Sequence, residues 1–272
     1  MTLDAVYGPV RAEIAGVKQA LNGLVGSFDF PATEAVVEHF SRMPGKFLRP
    51  ALLLLSAKAL VPDPDQDLTD RLVRTGAGVE LIHDASLIHD DILDHDVERR
   101  GQPTLNAVWG TKIALLAGDV LYSRAFGTLT ETLSLPLLQR VVRLNETMCS
   151  AEIEQAQAEG RVLSREEYFR IIEGKTAAFM SLCCRLGAAL AGGNEAEVAA
   201  LSSFGLAFGL AFQLFDDQAD GDLGCPDVDC GNEGQEHCRL AVASLEALAP
   251  TRARDKLLEL VGHLVLVSRA RS

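Results

Sequence analysis

Two short acidic clusters carry the most legible chemistry in this 272-residue chain. One reads Asp90-Asp91-Ile92-Leu93-Asp94, the other Asp216-Asp217-Gln218-Ala219-Asp220. Each closes an apolar run, Leu87-Ile88 before the first and 212–215 before the second. Aspartate is costly to bury without a compensating cation. On a helix, residues four apart share a face, so Asp90 pairs with Asp94 and Asp216 with Asp220, while Asp91 lies about 100° around from Asp90. Mg²⁺ takes hard oxygen ligands, a few carboxylates plus phosphate oxygens, and Mn²⁺ accepts the same set. Two facing helices of this pattern would set about three cations on one diphosphate. A single cluster reads equally well as a solvated helix end; two, each behind an apolar run, favour the metal.

Cations gather near the first cluster. Arg99-Arg100-Gly101 follow it by one short loop. Gly45-Lys46-Phe47-Leu48-Arg49-Pro50 adds Lys46 and Arg49, three apart and expected on one helix face. A guanidinium fork suits phosphate oxygens. Each of these alone is ordinarily a solvated surface charge, but Lys46 is one of only six lysines. Two sets of such residues are what two diphosphate substrates need.

Helices must position these groups, because 3.6-residue periodicity runs almost throughout and strand alternation is hard to find. The pattern predicts helices over 3–25, 45–60, 68–94, 111–133, 137–159, 196–220, 239–248 and 254–269, with Gly101-Gln102-Pro103 as a break. Ser164-x-x-Glu167 is a capping box opening the helix that carries Lys175. Residues 222–236 read as an acidic loop. No repeat or linker stands out, so the expectation is one all-α domain over 1–272, atypical and shortened from about residue 222.

Bulk properties exclude several classes. The formal charge of −13 argues against nucleic-acid binding. No uncharged apolar stretch of about 18 residues and no leader are expected, nor a basic amphipathic anchor, which points to a soluble, cytoplasmic protein without a stable membrane attachment. Without a secretory leader the six cysteines are not read as a disulfide framework. Cys225, Cys230 and Cys238 lack the paired C-x₂-C spacing of a zinc site and are expected to be incidental thiols of the acidic loop.

Across residues 40–222 the chain resembles the trans-isoprenyl diphosphate synthases, the polyprenyl synthetase family, and in particular its medium- and long-chain bacterial members. The resemblance rests on Gly45-Lys46-x-x-Arg49-Pro50, His89-Asp90-Asp91-x-x-Asp94, Arg99 through Thr104, and Leu116-Ala117-Gly118-Asp119. It continues in Gly174-Lys175-Thr176-Ala177 and Phe212-Gln213-x-x-Asp216-Asp217-x-x-Asp220. It implies the isoprenoid synthase fold, a helical bundle around a central cavity, usually homodimeric, and condensation of an allylic diphosphate with isopentenyl diphosphate. By the same resemblance Asp90, Asp94 and Asp216 are the direct Mg²⁺ ligands, supported by Asp91, Asp217 and Asp220. Lys46, Arg49, His83 and Arg100 match the isopentenyl diphosphate pocket, and Arg99, Lys175, Thr176 and Gln213 the allylic one. Arg99 and Lys175, with the aspartates, would stabilise the departing diphosphate.

In the family, bulky residues five and four positions before the first cluster stop product growth early. Here they are Ala85 and Ser86, and Ala77 and Gly78 extend the run of small residues. A product of geranylgeranyl length or longer is expected, hexaprenyl to octaprenyl favoured, unless Ala85 and Ser86 merely pack the helix.

The chain departs from the family at Pro44, where glycine is usual, and at Asp84, where a neutral residue is common. It also lacks any lysine between Lys175 and Lys256 and ends early. Two other readings therefore stand beside the elongating enzyme. One is a class I terpene cyclase, which has no use for an isopentenyl site. The other is a weakly catalytic subunit that needs a heteromeric partner.

Overall fold

The structure is a computed structural model and describes residues 3–26, 28–41, 45–221, 225 and 227–271. It is all-α. In chain order the helices are α1 (Leu3–Val6), α2 (Arg11–Val25), α3 (Pro31–Ser41), α4 (Leu48–Leu60), α5 (Gln66–Leu93), α6 (Leu105–Trp109), α7 (Thr111–Thr132) and α8 (Leu135–Gln157). They continue as α9 (Arg165–Ile172), α10 (Ala178–Leu190), α11 (Glu195–Asp220), α12 (Cys230–Ser244) and α13 (Arg252–Arg271). A 3₁₀ turn, Gly8–Val10, precedes α2, and a π-helical turn, Glu173–Ala177, joins α9 to α10. Between α5 and α6 lies a two-stranded antiparallel ribbon, β1 (Glu98–Arg99) and β2 (Gln102–Pro103), with Arg99 opposite Gln102.

Two compact units make up the chain. The α5 unit comprises Ala12–Ala51 and Thr69–Ser134; the α11 unit takes the residues up to Arg11, Leu52–Leu68, and those from Leu135 onward.

In the α5 unit, α5 is buried over most of its circumference from Leu72 to Ile82, as its mixed apolar faces predict. The ribbon turns on Arg100 and Gly101, both with positive φ (52° and 77°). That is the backbone of a two-residue type I′ hairpin, and glycine suits its second position. His39 on α3 meets the Pro103 carbonyl at 3.0 Å and sets its ring edge-on to Trp109, fixing the ribbon and α6 against α3.

In the α11 unit, α11 packs against α10, α12 and α13. The capping box is present, with Ser164 accepting from the Glu167 amide and Glu167 answering the Ser164 amide, and Asn194 with Glu197 builds a second one at α11.

Several expectations are corrected. Residues 3–25 are not one helix, because Pro9 cannot donate to the preceding turn and clashes with it. The 45–60 helix starts at Leu48, since Phe47 has a positive φ of 53°, so Lys46 and Arg49 do not share a helix face. The acidic segment is not a loop to 236: α12 begins at Cys230, capped by Asp229, whose side chain accepts from the Asn232 amide at 3.0 Å. Residues 222–224 and 226 of that segment, and Pro44, lie outside the described residues. Residues 198–215 do form an 18-residue uncharged stretch. Helix α11 has the length and apolarity of a membrane span, yet 61% of that window is buried within the protein, as in a core helix.

The α4–α10 contact is the tightest helix crossing in the α11 unit. A Cβ on Gly187 would stand 2.0 Å from the Leu53 carbonyl oxygen. Gly187→Ala is therefore expected to cost about 1–3 kcal/mol, lowering the thermal midpoint by about 3–10 °C. An unchanged melting curve would contradict this packing.

Candidate active site

The end of α5 is held by a dense set of hydrogen bonds. Asp91 is 1% exposed, and its Oδ1 accepts from Arg99 Nε. Burial outweighs the guanidinium and holds the Asp91 carboxyl above its usual range. Arg99 also reaches Asp96 Oδ2 at 3.5 Å. The connecting segment is locked by its own backbone. The Asp96 amide donates to the Asp91 carbonyl at 2.9 Å, and Asn106 and Thr104 both donate to the Asp96 carbonyl at 2.8 Å. Asp91 thus acts as a strut. Asp90 is half-buried and Asp94 exposed at the helix end. His89, ahead of them, contacts the Leu115 carbonyl of α7 at 3.2 Å.

Beside this helix end is a cavity of about 330 Å³, lined by Glu80, Asp84 and Leu87 of α5, Arg99 and Arg100 of the ribbon, and Lys18 of α2. Positions 80, 84 and 87 share one helix face. Arg49 and Arg100 both act electrostatically on Glu80, His83 and Asp84. Burial, then these arginines, keeps His83 neutral, well below its usual pKa. Burial raises Glu80 to about 7 against the pull of Arg49 and Arg100. Lys46 is exposed at the start of the same segment. Lys18 and Glu80 were missed from sequence. Lys18, with Nζ 4.8 Å over the Phe47 ring, carries no motif, and Glu80 reads as one of many helix carboxylates.

In the α11 unit a hydrogen-bonded relay supports the second cluster. Thr176 Oγ1 donates to Gln213 Oε1 (2.7 Å), Gln213 Nε2 to Asp217 Oδ1 (2.7 Å), and Tyr168 OH to Asp217 Oδ2 (2.5 Å). Asp217 is thus tied to the protein as Asp91 is, and Asp216 and Asp220 are the other carboxylates of this cluster. Lys175 sits in the π-helical turn and donates to Glu152 at 2.7 Å and Gln155 at 3.0 Å. Tyr168 was missed; its only sequence signal is its place in the capped helix α9. Its hydroxyl also lies 3.6 Å from Cys230 Sγ. Cys225 and Cys230 are buried with Tyr168, Ile172 and Leu214 in a small core cluster, and Cys238 is buried too. These thiols are core residues rather than incidental loop positions.

The predicted residues thus fall into two sets. Asp90, Asp91, Asp94, Arg99, Arg100, Arg49 and His83 gather in the α5 unit. Lys175, Thr176, Gln213, Asp216, Asp217 and Asp220 gather in the α11 unit. Among the described residues no group of three or more His, Cys, Asp or Glu is placed to hold a metal ion. Asp90 and Asp94 at a helix end suit Mg²⁺, which commonly binds through one or two carboxylates and completes its shell with phosphate oxygens and water.

Ala85 is fully buried and shares a helix face with Gly78, Ile82 and His89. Ser86 donates to the His83 carbonyl at 2.8 Å. Gly78 does not prolong an opening: a Cβ there would stand 2.8 Å from Leu129 of α7, which fills the space.

Residues 31–223 match the polyprenyl synthetase family. A short chain isoprenyl diphosphate synthase from Methanothermobacter thermautotrophicus is 39% identical over 189 residues, 67% of this chain and 56% of its own length. The chain thus spans little more than half of that relative. A heptaprenyl diphosphate synthase component 2 from Geobacillus stearothermophilus is 35% identical over 221 residues, 81% of this chain and 67% of its own. The crystal structure of a polyprenyl synthase from Caulobacter crescentus, complexed with calcium and isoprenyl diphosphate, superposes with a TM-score of 0.88 at 25% identity over 97% of both chains. A sequence match over most of the chain, joined to superposition over nearly all of it, leads to one assignment: the chain belongs to the polyprenyl synthetase family and has the isoprenoid synthase fold.

Proposed function

We propose that the chain is a prenyltransferase that condenses isopentenyl diphosphate with an allylic diphosphate to give a trans-polyprenyl diphosphate. The observation that carries this reading is the basic cavity beside the first aspartate cluster, on the same helix as that cluster. A cyclase ionises one diphosphate and needs no second anion pocket.

Asp90 and Asp94 in the α5 unit would hold Mg²⁺ for the allylic diphosphate, and Asp216 in the α11 unit would likewise be a Mg²⁺ ligand, with Asp91, Asp217 and Asp220 supporting them. When bound, Mg²⁺ neutralises charge on that diphosphate as it departs. Arg99 in the α5 unit and Lys175 in the α11 unit would donate to the leaving oxygens, and Thr176 and Gln213 orient Asp217. The carbon–oxygen bond breaks with its electron pair on diphosphate. Isopentenyl diphosphate, held through its diphosphate by Arg49, Arg100, Lys46 and His83, then attacks through its double bond to form the new carbon–carbon bond, and a proton leaves to the released diphosphate. Apolar helix faces keep water from the cation. Small Ala85 and Ser86 leave room for a product of geranylgeranyl length or longer, with hexaprenyl to octaprenyl favoured. Ile113, Leu115 and Leu116 stand exposed at the start of α7, and a second copy covers them in the homodimer that goes with this reading. The run without lysine from 176 to 255 also favours a second reading, in which turnover depends on a partner subunit.

The test is incubation with Mg²⁺ and farnesyl diphosphate, with and without labelled isopentenyl diphosphate. Label is expected in longer diphosphates, and Asp90→Ala is expected to lower the rate about a hundredfold or more. Hydrocarbon formed from farnesyl diphosphate alone would instead identify a cyclase, and no turnover would favour the partner-dependent subunit. In the same assay Ala85→Phe is expected to shorten the chromatographed products; unchanged length would remove Ala85 from the product tunnel.

A further inference from the structure

The cavity in the α5 unit is built to hold an anion, yet this chain places two carboxylates in it. Glu80 and Asp84 are one helical turn apart and both line it. Glu80 is 5% exposed, and its Oε2 is buried with no hydrogen-bond partner among the described residues. A carboxylate oxygen in that state carries an uncompensated cost unless a proton or a donor reaches it. The groups facing the pair can be named element by element. Helix α2 brings Lys18 and neutral Asn22, and the segment before α4 brings Phe47. Arg49 of α4 acts on both carboxyls and on the neutral His83 beside them on α5, and the ribbon supplies Arg99, paired with Asp91, and Arg100.

We propose that Asp84 sets the affinity of this cavity for a diphosphate: its carboxylate competes with the incoming anion for the field of Arg49 and Arg100, and the anion enters together with a proton taken up by the Glu80–Asp84 pair. The inference rests on the reading of this cavity as a diphosphate pocket and adds its regulation by protons. Burial raises both carboxyls, Glu80 to about 7 and Asp84 well above its usual value, with each arginine opposing and Glu80 reinforcing the shift at Asp84. An anion that draws on the same arginines withdraws that opposition and raises both further. The sign follows by linkage. Affinity is full where the pair is already protonated in the empty cavity, and it falls as pH rises through about 7 and above. Replacing Asp84 by a neutral isostere removes one negative charge from the pocket, so the gain is largest at high pH.

The experiment is calorimetric titration of inorganic diphosphate into the metal-free protein with a chelator present, so that the aspartate clusters cannot hold the probe through metal. It is run near about pH 6 and about pH 8, in two buffers of different ionisation heat. The wild type is expected to bind more tightly at the lower pH and to take up protons on binding. Asp84→Asn is expected to bind about tenfold more tightly at the higher pH and to take up fewer protons. Asp84→Thr, with circular dichroism on both variants, separates a charge effect from a folding defect, and Arg100→Ala is expected to abolish the heat and so locate the site. Equal affinity of wild type and both folded variants, no proton uptake, or no binding at all would overturn the proposal. Turnover of isopentenyl diphosphate without proton-linked binding would sink this inference and leave the proposed function standing; proton-linked binding without turnover would do the reverse.

Discussion

Each aspartate cluster is organised by one carboxylate that the protein keeps for itself. A buried carboxylate forfeits its hydration and is tolerated only where neighbouring donors replace it. Asp91 is enclosed and answered by Arg99; Asp217 is answered by Gln213 and Tyr168. Removing Arg99 would leave Asp91 desolvated at the end of an apolar helix. The rest of each site follows from these ties. The Asp91–Arg99 pair anchors the ribbon to α5, and the ribbon's turn then sets Arg100 at the mouth of the cavity. The donors to Asp217 fix the relative placement of α9, the π-helical turn and α11.

The same economy of charge shapes how anions are held. With a formal charge of −13, cations near the sites mostly face a carboxylate: Lys175 meets Glu152, Arg165 meets Glu233, and Arg99 meets both Asp91 and Asp96. A diphosphate therefore enters a field already balanced, and binding means exchanging partners rather than filling a bare positive pocket. On the proposed function, this balance is why an allylic diphosphate would need divalent cations and why an extra acid in the cavity beside α5 would have consequences.

The long helices were legible because their apolar periodicity is strong, and the capping box at Ser164 marked a boundary to the residue. What escaped depends on tertiary contact. Helix α12 opens Cys-Gly-Asn-Glu-Gly-Gln, a sequence of poor helix propensity. It forms because Asp229 caps it and because Gly234 admits the Phe215 ring, whose Cε1 would stand 2.6 Å from a Cβ there. The π-helical turn at Lys175 has no period that a helical pattern distinguishes. Of the site, the charged members of each motif were readable. Tyr168, Glu80 and Lys18 were not, because their significance lies in which distant residue they meet. The small residue at 78 was over-read, since Leu129 supplies from α7 the bulk that α5 lacks there.

On the proposed function, one chain holds two diphosphate sites of different chemistry, one dependent on metal and one built from arginine. Equilibrium dialysis of labelled isopentenyl diphosphate, with a chelator present and near about pH 6, tests it most directly. About one equivalent is expected to bind per chain, retained in the Asp90→Ala and Asp216→Ala variants and lost in Arg100→Ala. Binding that requires Mg²⁺ and vanishes with the aspartates, while surviving Arg100→Ala, would contradict it.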